Sequence, residues 1–353
     1  MTLKREFYLA IMILLLLVVP FGACERQVSP HEKLGISITP MGIEPRNWYK
    51  VTCETALDTA KEGRFKTIWF PVLWEWVEQS LGVYEFDTVD TIIKPAVDKG
   101  FDVGVRLMFI ATGNDGQGNF SSVLQIPAHV NSDLSSPEFK VSFSNFCRAF
   151  ARHYSGKVKY ITVANSINNY FEQFPEGADK FDHFMSAYTD AVSAIHEEDP
   201  NIVVMPDLDF GGIYQDRVNS RARFLRPFLD TESNAIGFIV YLVEEDIYGT
   251  ISYDNMAAIL DTMNMLTGNR QVYIVETAMF SKPPSTEELQ SNYVELLLAT
   301  IPQRDFIMGM AWFVLYDAVD LPEISWDFKG GFGFFDENGV PKKAWGTWRK
   351  YAK

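Results

Sequence analysis

Eight short apolar runs recur along the chain, separated by stretches patterned for helices. They cover residues 34–39 (LGISIT), 66–70 (KTIWF), 102–109 (DVGVRLMF), 159–165 (KYITVAN), 202–207 (IVVMPD), 235–242 (AIGFIVYL), 271–277 (QVYIVET) and 307–314 (IMGMAWFV). Each is rich in Val, Ile and aromatic residues and apolar at odd and even positions alike. Such runs suit strands of a parallel sheet covered on both faces. Between them, 89–100 (VDTIIKPAVDKG) has helical apolar spacing and closes on Gly100, a C-terminal stop signal. Residues 143–154 (FSNFCRAFARHY) and 179–200 are amphipathic, the latter halted by Pro200; 285–302 opens on Ser/Thr followed by Glu; KKAWGTWRKYA closes the chain as a helix. Strand–helix alternation over 34–353 predicts an α/β fold, a single-domain (β/α)8 TIM barrel. A doubly wound open sheet has the same alternation, but no glycine-rich phosphate fingerprint accompanies it here.

The first 23 residues stand outside this pattern. Lys4 and Arg5 precede an apolar run from Tyr8 to Val19, and Gly22-Ala23-Cys24 follows. The run is short for a membrane span and matches a secretory signal. Gly-Ala-Cys resembles a bacterial lipobox, which implies export, lipidation of Cys24 and anchoring to a membrane. The expected organisation is a signal peptide over 1–23, a tether over 24–33 and the barrel over 34–353. Beyond Cys24 only Cys53 and Cys147 remain. They either pair in an oxidising compartment or stay free, Cys147 as a buried thiol in its helix.

Composition narrows the chemistry. Among 353 residues, 47% are hydrophobic and 14% aromatic, which excludes disorder, coiled coil and collagen. A net charge of −15 repels phosphate backbones, so nucleic acid is not an expected partner. Five His and three Cys form no metal motif, and no cofactor is implied. Carboxylates and aromatic platforms are left to carry the function.

In a barrel of this kind the chemistry lies at the carboxyl ends of the strands. There the chain places Trp74, Glu75 and Trp76, with Glu78 beyond; then Asn165 and Ser166; Tyr241; Glu276; and Trp312. Indoles stack on the C–H faces of sugars, while amides and carboxylates pair with hydroxyls, so the ring suits a carbohydrate partner. Arg106 on the third strand either holds a carboxylate or points into the barrel. Asp207 and Asp209 end the fifth strand and are candidates to line the cleft. For Glu78 a salt bridge or helix cap is the favoured role, and for Glu172 a solvated loop.

WEWVEQSLGVYEFDTVDTIIKPAVDKGFDVGVRL (74–107), KYITVANSINNYF (159–171), QVYIVETA (271–278), GMAWFVLYD (309–317) and GFGFFDENGVPKKAW (331–345) together resemble glycoside hydrolases of clan A, in order and spacing. The resemblance implies a retaining mechanism in which Glu276 is the nucleophile. It implies that Asn165 binds the sugar 2-hydroxyl, Tyr241 orients Glu276 and Trp312 forms the floor beneath the sugar. It places Ser166 where the family carries its acid/base glutamate. A hydroxyl cannot cycle a proton with the leaving oxygen, and loss of that catalysis costs about 10²–10⁴-fold. Plant myrosinases, clan A relatives that lack the acid, cleave substrates whose leaving group needs none. A carboxylate from elsewhere (Glu75, Glu172, Glu244 or Glu245) is the other route. Met108 and Phe109 stand where many relatives have a histidine. The two expectations are a glycoside hydrolase altered at Ser166 and a carbohydrate-binding protein without catalysis.

Overall fold

A computed structural model describes residues 30–37, 49–114, 120–174, 177–215, 221–241, 252–283, 285–319 and 331–351. Residues 1–29, with the expected signal peptide and Cys24, and Glu244 and Glu245 lie outside them. Eight parallel strands close into a barrel: β1 (Leu34–Ser37), β2 (Thr67–Leu73), β3 (Asp102–Met108), β4 (Tyr160–Val163), β5 (Val203–Asp209), β6 (Ile236–Ile239), β7 (Val272–Thr277) and β8 (Ile307–Trp312). Strand β1 pairs with both β2 and β8, which seals the sheet. Among the described residues, the helices between and after the strands include α1 (Cys53–Glu62), α2 (Asp87–Asp98), α3 (Pro137–His153), α4 (Gly177–Glu198), α5 (Arg226–Leu229), α6 (Tyr253–Leu266), α7 (Glu287–Thr300) and α8 (Lys343–Tyr351). The chain is a (β/α)8 TIM barrel, as the alternation predicts.

Local signals set the helix ends. Ser136 caps α3, its side chain accepting from the Phe139 amide, with Pro137 in the first turn. Thr286 caps α7 in the same way, while Glu287 and Glu288 occupy its positive end. Gly100, at φ +79°, ends α2, and its amide donates to the Val97 carbonyl.

The apolar mass divides into two layers. Residues facing outward pack against the helices, as Phe109, just past β3, does against Phe139 and Phe143 of α3. Inward-facing residues Trp69, Tyr160, Met205, Tyr273, Val275 and Ala311 fill the barrel. A Cβ on Gly104 would lie 2.5 Å from the Trp69 ring, and one on Gly309 2.4 Å from the Tyr273 ring. Only glycine admits these rings to the axis. Trp69 Nε1 then donates to the Tyr273 hydroxyl at 3.1 Å. Of the two alternatives open for Cys53 and Cys147, the free one holds: neither is in a disulfide, and Cys147 is buried in α3.

Beyond the barrel's alternation, two hairpins leave the strand ends: Glu78–Ser80 with Val83–Tyr84, and Ile110–Asn114 with Phe120–Leu124. At the opposite, amino end of the barrel lies a cavity of about 380 Å³, lined in part by Lys33, Lys66, Asp102, Lys159 and Asp305. It is far from the carboxyl ends of the strands, and Lys66 and Lys159 there pair with Asp102.

Candidate active site at the carboxyl end of the barrel

Strand parity aims the charged residues inward. On β3, Gly104 faces the axis, so Arg106 two residues on does too. On β5, Met205 and then Asp207 do the same. On β7 the rule breaks. Tyr273 and Val275 face inward, so strict alternation turns Glu276 outward. Instead, β6 pairs Phe238 with Ile274 but Ile239 with Glu276. Val275 is the extra residue of a β-bulge, and Glu276 is thereby re-aimed into the barrel mouth.

Arg106 ties the site together. Its Nε donates to Asp207 Oδ2 at 2.9 Å, its Nη2 to Asn165 Oδ1 at 2.6 Å, and its Nη1 to Glu276 Oε2. Both alternatives open for Arg106 in the sequence are therefore met: it points into the barrel and holds carboxylates. Tyr241 donates its hydroxyl to the other oxygen of Glu276, Oε1. Thr162 Oγ1 also reaches Asp207 Oδ2, at 3.2 Å. Burial pushes the Arg106 guanidinium down, but Asp207 and Glu276 reverse this, so it stays charged. Burial pushes the Asp207 carboxyl up, and Arg106 beside it only partly opposes that. Asp207 is fully enclosed, whereas Glu276 keeps 7% of its surface. Of the two carboxylates on Arg106, only Glu276 is able to meet a ligand.

Asn165 sits between two residues in the left-handed region, Ala164 at φ 71° and Ser166 at φ 46°. Each such conformation costs an alanine or serine about 1–2 kcal/mol. Together they end β4 and start the helical turn Ile167–Glu172. Ser166 is half-buried, and its side chain makes no cap bond to that turn. The site thus joins Arg106, Asn165, Tyr241 and Glu276 directly, with Ser166 adjacent in the chain to Asn165.

The tryptophans are placed differently from expectation. Trp74 is wholly enclosed; its indole stacks on Phe146 of α3 and donates to Glu78 Oε2 at 2.6 Å. Trp312 is also enclosed, stacked on Phe334 and donating to the Phe332 carbonyl at 2.8 Å. Neither offers a face to a sugar. The reason for Trp312 is parity: Ala311 faces the axis, so Trp312 faces the helices. Its neighbour Phe313 takes the place at the mouth, with Tyr241 6.4 Å and Phe332 5.5 Å away between ring centres. Trp76 is half-buried and Glu75 exposed on the turn Trp74–Val77. Glu78 is a structural residue, holding Trp74, the Gly82 amide and His129.

Of the other carboxylates, Asp209 is held by local hydrogen bonds. Asp209 accepts from Asn169 Nδ2 and from the Gly211 amide, both within 3 Å. The Glu172 carboxylate lies beside Gly212. Among the described residues no cluster of three or more His, Cys, Asp or Glu is placed to hold a metal ion. Sequence reading missed Phe313 and Phe332 as the mouth aromatics; the run 307–314 is apolar throughout and carries no signal of which face each residue takes.

No family model matches the chain, and no curated protein matches it. Solved structures do. GH5_18 from Streptomyces cattleya, in complex with Manβ1-4GlcNAc, superposes with a TM-score of 0.71 at 16% identity, over 91% of this chain and 80% of its own. An exo-β-1,4-mannosidase from Opitutaceae bacterium strain TAV5 gives 0.67 at 16%; this chain aligns over 91% of its length but spans only 59% of that protein. Xylanase 10B from Thermotoga petrophila RKU-1, in complex with xylobiose, gives 0.63 at 15%, covering 92% and 94%. The structural neighbours of this barrel are glycoside hydrolases of clan A, and at such identity the likeness establishes the shared fold.

Proposed function

We propose that the protein acts on glycosides, with Glu276 as the nucleophile of a retaining reaction. The observation that carries this reading is the clamp on Glu276: a bulge aims it into the mouth, and Arg106 and Tyr241 hold its two oxygens beside Asn165. Mannose- and xylose-containing ligands in the solved neighbours support a carbohydrate substrate. In the first step Glu276 forms a bond to the anomeric carbon, and the bond to the leaving oxygen breaks. Ser166 supplies no proton, so the leaving group departs as an anion. Substrates with acidic leaving groups are therefore favoured. Release of the glycosyl-enzyme by water lacks a general base as well, so the intermediate accumulates.

The test uses 2,4-dinitrophenyl 2-deoxy-2-fluoro-β-glycosides of mannose, xylose and glucose, with intact-protein mass spectrometry. We expect one of them to add a single glycosyl group, lost in Glu276→Gln, and azide to speed turnover of the corresponding unfluorinated substrate. No adduct with any sugar, alongside measurable sugar binding, would establish the second reading, a carbohydrate-binding protein without catalysis. Ser166 is the observation favouring that reading.

The anchor belongs to the same proposal. Lipidation at Cys24 would hold the barrel at an exported membrane surface. Fractionation of cells should then find the chain with membranes, and Cys24→Ala should release it; membrane association unchanged by Cys24→Ala would remove the anchor from the proposal.

A further inference from the structure

Asn165 and Ser166 sit on a corner that the chain does not adopt unaided. Ala164 and Ser166 both have positive φ, at 71° and 46°, and neither is glycine. Such conformations persist only where the surroundings enforce them. One side of the corner is tied to β3, where the Ala164 amide donates to the Leu107 carbonyl at 3.0 Å. The other side is tied to β5 by a wholly enclosed side chain, Asn168 in the turn Ile167–Glu172. Its Oδ1 accepts from the Asp209 amide at 2.8 Å, and its Nδ2 donates to the Asp209 carbonyl at 3.2 Å. Backbone pairing of β4 with β5 stops at Val163 and Pro206. The Asn168 amide continues that ladder with a side chain, further along β5. Asn169 adds a bond from its Nδ2 to Asp209 Oδ2 at 2.9 Å.

We propose that Asn168 is a positioning residue: by locking the turn to β5 it holds the strained corner, and with it the Asn165 amide. The inference deepens the reading of the site as one that acts on glycosides and rests on it for its functional meaning. Asn165 Oδ1 accepts from Arg106, so its NH2 is the group left for a sugar 2-hydroxyl. That contact strengthens in the transition state, so a displaced Asn165 costs rate. Without the Asn168 side chain, the Asp209 amide and carbonyl lose a buried partner. The turn then parts from β5, Ala164 and Ser166 relax toward negative φ, and Asn165 swings off Arg106. Enclosed as it is, Asn168 meets no substrate; it acts through Asn165.

The experiment compares two dinitrophenyl glycosides of one sugar in the full-length chain. The ordinary glycoside carries the 2-hydroxyl; the fluorinated one has fluorine in its place and lacks that contact from the start. In Asn168→Ala, kcat/KM for the ordinary glycoside should fall about tenfold or more, the worth of one hydrogen bond to the sugar. The rate of trapping by the fluorinated glycoside should stay at the wild-type value. Adding Ala164→Gly should recover most of the loss, because glycine takes positive φ freely and needs no brace. Equal losses on both substrates, or no recovery with Ala164→Gly, overturn the proposal, since Asn168 would then serve packing alone. If Asn168→Ala does not fold, Asn169→Ala serves. It removes the bond to Asp209 Oδ2, so the same split should appear at smaller size, and no split overturns the proposal. A crystal structure of the same variant reads the corner without turnover: Asn165 Oδ1 should lie beyond hydrogen-bond reach of Arg106. A displaced corner with no adduct in the wild type sinks the nucleophile reading alone. An adduct in the wild type with the corner unmoved in the variant sinks the role of Asn168 alone.

Discussion

At the scale of single residues, the site is built around one guanidinium that Asp207, Glu276 and Asn165 share. Arg106 satisfies three acceptors with three nitrogens, something a lysine's point charge cannot reproduce at these angles. On the proposed reading, Ser166 sets which substrates the site can serve. Replacing it restores a carboxyl beside Asn165, so Ser166→Glu should raise hydrolysis of unactivated aryl glycosides by about 10²-fold or more. The measurement is kcat/KM for phenyl and alkyl glycosides of the sugar that traps. No gain would mean that residue 166 does not face the leaving oxygen. Asn165, Tyr241 and Glu276 were legible in the sequence because each ends, or nearly ends, an apolar run, and Arg106 because it is a charge inside one. The two tryptophans misled because a strand's parity cannot be read from a run that is apolar at every position.

At the scale of elements, β7 and β8 set the mouth by opposite means. The bulge at Val275 turns Glu276 in, while alternation on β8 from Gly309 onward turns Trp312 out and Phe313 in. These roles are separable. Trp312→Ala should destabilise the fold by about 3–5 kcal/mol, read from denaturant unfolding. Trp312→Phe, which keeps an aromatic ring in the helix-facing layer, should leave the trapping rate at Glu276 unchanged. Phe313→Ala should slow trapping by about tenfold, the worth of roughly one aromatic contact. A trapping rate that follows Trp312→Phe and ignores Phe313→Ala would reverse the assignment of the mouth aromatic.

For the whole molecule, the amino end of the barrel carries stability rather than chemistry. Asp199, in the connection from α4 to β5, accepts from the Gly156 amide at 2.9 Å, the Ser155 hydroxyl at 3.1 Å and the Asn201 amide at 3.0 Å. Burial pushes its carboxyl up, but those hydrogen bonds win and hold it below the ordinary aspartate range. Its folded value is depressed, so its contribution is present above about pH 4 and is lost as pH falls through the lower folded value. Asp199→Asn should therefore lower Tm more at pH 7 than at pH 3, by thermal unfolding at both; equal losses would assign Asp199 a role independent of charge. The sequence by itself determined the barrel, its eight strands and the strand ends that bear Glu276, Asn165 and Tyr241. Those follow from hydrophobic period, caps and the handed closure of parallel strands, all of them local or nearest-neighbour effects. Only the tertiary structure decided which face each residue takes and which charges meet. A one-residue bulge reverses a side chain, and Asp207 and Glu276, 101 and 170 positions from Arg106 in the chain, meet it only once the sheet has closed.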